Sequence, residues 1–259
     1  MASIVHPTAL VEAGAELDDG VEVSAFCYVG AQVRLGQGTR LQHHSTVDGN
    51  THLGTDNDVF PYAFLGGKTQ DLKYQGGQTG VRIGDRNVFR EFGTVHASTA
   101  EGNYTRIGSD NTFLAYHHIA HECEVGSHCI FSNNGTLAGH VIVEDRAIIG
   151  GLSAVHQFCR IGTFAMIGGC TKVVQDVPPF MILDGNPAEV RAFNKVGLER
   201  AGCPEADIDL AKTVFKTLYH SGHNRSDALK HLATHPRADC WIIQAMLAFA
   251  EQSKRGFAG

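Results

Sequence analysis

The chain has 259 residues and a mass of 27.9 kDa, room for one large domain or a domain with a small appendage. At 43% hydrophobic and 19% charged it buries a real core and is not disordered, and a formal net charge of -6 argues against a general nucleic-acid-binding surface. No apolar run approaches the roughly 18 residues of a transmembrane segment, the first residues lack a signal peptide's charged and apolar regions, and seven cysteines without a C-x-x-C pair argue against a disulfide framework or structural zinc.

The expectation is a cytoplasmic protein, and its 30 glycines and 7 prolines, with no G-x-y repeat, point to many tight turns. From Val5 to Val173, every sixth residue is aliphatic or Phe at all but three positions, Asp71, Gly77 and Glu101. Four residues after each of these the side chain is usually small, and Cys27, Cys123, Cys129 and Cys159 occupy that slot. A period of six is neither helical nor a simple alternation. It predicts a β-helix of hexapeptide repeats, with the aliphatic residue pointing to the axis and small residues or Gly turning the corners. Three hexads form one triangular coil, so residues 18 apart stack on neighbouring coils about 4.8 Å away. The exceptions in the register predict two excursions, a polar, Gly-rich loop over 66–80 and a smaller one over 97–104.

Fifteen histidines are many, and four of them fall near coil spacing: His118/His121, His140 and His156. The spacing predicts that they stack along one strip, where a histidine serves as general base near neutral pH. Glu122 is placed to orient an imidazole, although neighbours on a strand face opposite ways. Gly139 stands one coil after His121, where an unobstructed backbone N–H suits an oxyanion. Metal binding competes with this reading, but the local spacing is His118-x2-His121 and not the H-x4-H of β-helix carbonic anhydrases, so no metal and no cofactor are expected.

The repeat ends at Val177-Pro178-Pro179, with a further break at Asp184 to Pro187. Beyond it Ile208, Ala211, Phe215, Leu218 and Tyr219 form an amphipathic helical face, Ser226 is a candidate N-cap, and residues 241–250 form another helix. These helices are expected to cover the open end of the rod, an exposed sheet edge. The predicted organisation is thus all-β plus α, with a β-helix over residues 1–190 and a C-terminal helical domain over 191–259. Residues 191–259 carry 10 Lys+Arg and 7 Asp+Glu, net +3, which leaves -9 on the rod.

Six runs in order resemble those of the UDP-N-acetylglucosamine O-acyltransferase family: 70–74 (QDLKY), 83–87 (IGDRN), 118–121 (HIAH), 137–141 (LAGHV), 154–159 (AVHQFC) and 175–179 (QDVPP). The resemblance covers nearly the whole chain. It implies a left-handed parallel β-helix, a homotrimer with sites between subunits, and the first step of lipid A biosynthesis. In that reaction an (R)-3-hydroxyacyl chain passes from acyl carrier protein to the glucosamine 3-position of UDP-GlcNAc. His121 matches the general base and the Gly139 N–H the oxyanion donor. Asp71, His118, His140, His156 and Gln157 match sugar-nucleotide contacts, Gln70 and Lys73 lie in the same loop, and Asn194 and Arg200 match the uridine and phosphate end. Gly169 matches the position that limits acyl-chain length. The basic tail suits an acidic carrier.

Three residues depart from the family pattern: Glu122 where Asp is usual, Val196 where some members have Glu, and Pro187 where others have His. Two other readings compete. The N-acyltransferase later in the same pathway carries an extra uridine-binding domain before its rod, for which a repeat starting at Val5 leaves no room. A non-catalytic β-helix scaffold accounts for the repeat but not for the histidines or the loop. An alternative acceptor, the 3-amino analogue of UDP-GlcNAc giving an amide, stays open at this point.

Overall fold

The computed structural model describes residues 2–259. Short strands, most of them two residues long, form three parallel sheets of eleven, nine and eight strands that enclose a triangular rod. The winding is left-handed. The first sheet begins at Ile4–Val5, the second at Leu10–Val11 and the third at Glu16–Leu17. Pairing follows the coil: Ile4 with Glu22, Leu10 with Tyr28, Glu16 with Arg34.

The period of six arises because each hexad supplies one strand and one corner. From Val23 to Val173 every aliphatic or Phe residue at the sixth position is buried. Phe113 lies between Phe89 and Phe131 with ring centroids 4.9 and 5.0 Å away, an aromatic axis through the middle of the rod. The small residues four positions on also point inward and fill the corners, as with the fully buried Thr39 and Ser45. At three successive coils this slot holds Asn57, Asn87 and Asn111. Asn87 and Asn111 each donate from their backbone and amide N–H groups to the Oδ1 of the Asn below, at 2.9–3.0 Å.

The corners differ from the expectation that small residues or Gly make them. The left-handed residue comes one place earlier, three after the aliphatic position. In seventeen cases it is not glycine but a residue such as Phe26, Tyr62, Arg86 or Glu122, with φ between 51 and 65°. Left-handed backbone costs such residues about 1–2 kcal/mol. Many of these N–H groups are tied to a carbonyl on the preceding coil, as His140 is to His121 at 3.0 Å, which offsets the cost.

Both excursions are present, and both are whole numbers of hexads. Pairing jumps by 30 residues across the first, Asp58 with Val88, and by 24 across the second, Val88 with Thr112. The loops therefore extrude twelve and six residues beyond the 18-residue coil, which accounts for the three departures at Asp71, Gly77 and Glu101.

At the far end the strands Met181–Asp184 and Glu189–Phe193 form an antiparallel hairpin on the first sheet, which the repeat did not foreshadow. Four helices follow: α1 (Lys195–Arg200), α2 (Glu205–Tyr219), α3 (Arg225–Ala233) and α4 (Trp241–Gln252). The N-cap of α3 is Asn224 and not Ser226, because the Asn224 Oδ1 accepts the Asp227 N–H at 3.0 Å. The helices share a core with Phe164, Phe180 and Met181 of the last coils. Buried Asp176 fastens the C-terminal segment to the rod by accepting hydrogen bonds from Ser253 Oγ and from the N–H groups of Lys254 and Arg255. No described helix is long and apolar enough to cross a membrane. All seven cysteines are free, and the four in the corner slot are buried.

Candidate active site

One edge of the rod, where the second sheet turns into the third, collects the candidate residues. The first loop leaves the second sheet after Phe64–Gly67 and enters the third at Gly80–Ile83. The second loop leaves after Thr94–His96 and returns at Tyr104–Ile107. One coil further on, His121 and Glu122 occupy the same edge between His118–Ile119 and Glu124–Val125.

Glu122 is a left-handed corner residue with φ 51°. That conformation removes the alternation of a regular strand, so consecutive side chains meet. Glu122 Oε2 lies 2.5 Å from His121 Nδ1. The other carboxylate oxygen accepts the N–H groups of Thr99 at 2.5 Å and Ala100 at 2.8 Å, both on the second loop. Burial raises the Glu122 pKa, but the hydrogen bonds from Ala100, His121 and Thr99 outweigh it and hold the carboxyl below its ordinary value. An ionised Glu122 facing Nδ1 fixes the tautomer with the proton on Nδ1, and Nε2 is left as the acceptor. Asp71 of the first loop reaches to 4.0 Å from that Nε2.

Registers place Ile119, Leu137 and Val155 in one column, so His121, Gly139 and Gln157 form the next, and Glu122, His140 and Phe158 the one beyond. A β-carbon on Gly139 would run into the His121 imidazole, so only glycine fits beneath that ring. No acceptor among the described residues takes the Gly139 N–H. A cavity of about 690 Å³ is lined by Gln70, Asp71, Lys73, His118, His121, Gly139, His140 and Gln157, eight of the residues singled out from the sequence.

The four histidines do not form a single strip. His118 stacks on Thr136, and His121 on Gly139. His140 stands over Glu122 with its ring 5.2 Å from that of His121, and His156 is exposed and lies outside the cavity. The spacings of 19 and 16 residues depart from 18, and on a rod with side chains in distinct columns one residue changes the column. Burial, then the neighbouring His121, holds His118 below the ordinary imidazole range. Burial likewise lowers His140, against the pull of Glu122.

Known proteins share this fold along the whole chain. A profile of the second domain of UDP-N-acetylglucosamine O-acyltransferases matches residues 176–258. The structure superposes on LpxA from Acinetobacter baumannii with a TM-score of 0.94 and 36% identity, covering 99% of this chain and 100% of that one. UDP-N-acetylglucosamine O-acyltransferase from Moraxella catarrhalis gives 0.92 and 36% over 100% of both chains. The Campylobacter jejuni acyltransferase gives 0.91 and 35% over 98% of both. The chain belongs to the UDP-N-acetylglucosamine O-acyltransferase family. It is an acyltransferase.

Other candidates lie elsewhere in the acyltransferase. Asn194 and Arg200 line a separate cavity of about 480 Å³ with Val196, Ile130 and Met166, on the first sheet. Asn194 is the buried N-cap of α1. Its Oδ1 accepts the Gly197 N–H, and its Nδ2 donates to the Phe164 carbonyl. Gly169 is exposed, with space for a side chain. Pro187 stands in the turn of the terminal hairpin.

Three parts of the site escaped the sequence reading. His96 is buried beside His118, ring centroids 4.9 Å apart. Burial and the two neighbouring histidines push its pKa down to about 4. Its column becomes visible only when the register is carried across the second loop, from Val95 to Ile119. The Thr99 and Ala100 donors are backbone groups, which no side-chain pattern encodes. His121, Glu122 and His140 also bring ligating atoms within 4.8 Å of one another, a set able to hold a divalent cation, although the Glu122 oxygen in that set already faces His121 Nδ1.

Proposed function

We propose that this acyltransferase moves an (R)-3-hydroxyacyl chain from acyl carrier protein to the glucosamine 3-hydroxyl of UDP-GlcNAc, the opening step of lipid A biosynthesis in the cytoplasm. The observation that carries the reading is the His121–Glu122 pair, with Nε2 facing the loop-covered cavity and a backbone glycine against the imidazole.

His121 Nε2 takes the proton of the sugar hydroxyl as that oxygen attacks the thioester carbonyl. The Gly139 N–H donates to the oxyanion of the tetrahedral intermediate. Collapse breaks the C–S bond, and the imidazolium returns its proton to the departing thiolate. Glu122 holds the imidazole in the productive tautomer and stabilises its protonated form. Asp71, Gln70, Lys73, His118, His140 and Gln157 surround the acceptor, and His156 extends the contact surface along the edge.

A homotrimer brings the Asn194–Arg200 cavity of one subunit against the histidine edge of the next, so the nucleotide spans two chains. Within one chain the two cavities have no lining residue in common, which supports a shared site. An exposed ladder of rings along another edge, Phe26, His44, Tyr62, Phe92 and Tyr116 at centroid spacings of 4.9–5.1 Å, is apolar surface suited to such an assembly. On this reading residues 1–190 do the chemistry, and the basic helices of 191–259 receive the acidic carrier.

The test is turnover of purified protein with carrier-bound 3-hydroxyacyl chains, crossed against UDP-GlcNAc and its 3-amino analogue. Ester product is expected with the first, and His121→Ala should lower turnover by about 10²-fold or more. Undiminished turnover in that variant would remove His121 from its role, and amide formation alone would transfer the reading to the amino acceptor. Loss of activity on chelation would favour a metal at His121, Glu122 and His140.

A further inference from the structure

The two loops at the catalytic edge are joined to each other and to the base by a continuous chain of hydrogen bonds. The Asp71 N–H donates to Thr69 Oγ1 at 3.1 Å, and that hydroxyl lies 2.8 Å from Thr99 Oγ1. The Thr99 N–H donates to Glu122 Oε1, whose partner oxygen faces His121 Nδ1. Further out, Glu101 of the second loop accepts the Gln78 N–H of the first at 2.9 Å, and the Gly102 N–H donates to the Gln78 carbonyl at 2.8 Å. Thr69 is 7% exposed, and the Glu122 side chain is 8% exposed, so the inner links are partly shielded from water while the Glu101–Gln78 link is exposed.

Neither carboxylate oxygen of Glu122 is idle: one belongs to the second loop and the other to His121. The direction in which Glu122 points is therefore set by where the second loop lies. The second loop is in turn fastened to the first, the segment that carries Asp71 and Lys73. Glu is one methylene longer than Asp, and here the added reach ends on two N–H groups of a loop.

We propose that Thr69 and Thr99 are positioning residues that couple the substrate loop to the general base through Glu122. Ordering of the first loop by the acceptor fixes the hydroxyl pair, the pair fixes the Thr99–Ala100 segment, and that segment holds the Glu122 carboxylate against Nδ1. The inference rests on the assignment of His121 as base.

Thr69→Val and Thr99→Val remove the hydroxyl link while keeping every backbone donor. Each should lower kcat by roughly three- to tenfold, the effect of one lost hydrogen bond. KM for the acceptor should change less than twofold, because the loop residues that meet it are intact. The double variant should be no worse than Thr69→Val alone, since that variant already breaks the hydroxyl pair that Thr99→Val removes, along with the acceptor of the Asp71 N–H. Thr69→Ser and Thr99→Ser should restore kcat, and also show whether a weak Val variant is merely misfolded. No hydrogen bond joins Thr69 to His121 or Glu122, so a kcat effect at this position is the signature of coupling. Unchanged kcat, losses confined to KM, or additive losses would overturn the proposal. His121→Ala measured in parallel separates the two failures: full activity there defeats the base assignment, whereas an inactive His121→Ala beside silent threonine variants defeats the coupling alone.

Discussion

Replacing Gly139 by alanine tests the catalytic edge with a single methyl group. Its β-carbon would overlap the His121 imidazole at the Cε1–Nε2 side, which takes the proton in the proposed mechanism, and would stand 3.0 Å from Nδ1. Ordinary carbon contacts are about 3.5–4.0 Å, so the ring must withdraw by about an ångström. Glu122 opposes that movement, because its carboxylate is fixed by Thr99 and Ala100. Misplacement of a reacting group on this scale lowers rate by about 10²-fold. Gly151→Ala is the matched control. It holds the same place in its hexad, has no left-handed φ, and meets nothing closer than the Asn133 carbonyl at 3.4 Å. The assay is kcat/KM for acyl transfer, with thermal unfolding in parallel. The reasoning predicts a loss near 10²-fold for Gly139→Ala, little change for Gly151→Ala, and similar Tm values. Activity of Gly139→Ala within threefold of the parent would refute it.

Two further outcomes concern stability. His117 is buried between the phenylalanine axis and Gly93, with its Nε2 unpartnered and its pKa pushed down to about 4, mainly by burial. A base with a lowered folded pKa contributes fully above the unfolded value of about 6.5 and loses that contribution as pH falls towards 4, a difference of about 3 kcal/mol. Urea unfolding should therefore weaken across this window, and His117→Phe should flatten the slope; an unaltered slope would contradict the account. Phe113→Ala opens a void between Phe89 and Phe131 and should cost about 3–5 kcal/mol, read as a lower urea midpoint with similar m. A loss under 1 kcal/mol would mean that the axis collapses to fill the space.

The rod was legible because its code is local and repeated. Every coil re-uses the same inward residue, so Val5 to Val173 announces three sheets before any contact is known. Its left-handed winding was not legible from spacing, since crossover sterics favour the opposite hand. The terminal hairpin and α1 fall outside the repeat, and their pairing depends on contacts with the last coils. Within the site, His121 and Gly139 were readable as an 18-residue pair. Glu122 was readable as a partner for the imidazole, but how adjacent residues could meet was not, because the contact depends on a left-handed φ at a non-glycine residue. His156 was misplaced because a spacing of 16 is close to one coil but falls in another column.

The uniform rise of the coils has a consequence for how specificity changes in this protein. Groups facing the cavity along this edge sit at fixed heights, one coil of about 4.8 Å apart. His121, Gly139 and Gln157 are three such marks on one column. Moving a blocking side chain from one coil to the next shifts a boundary by a whole mark and not by a fraction. The rod is thus a gauge with discrete graduations, read one coil at a time.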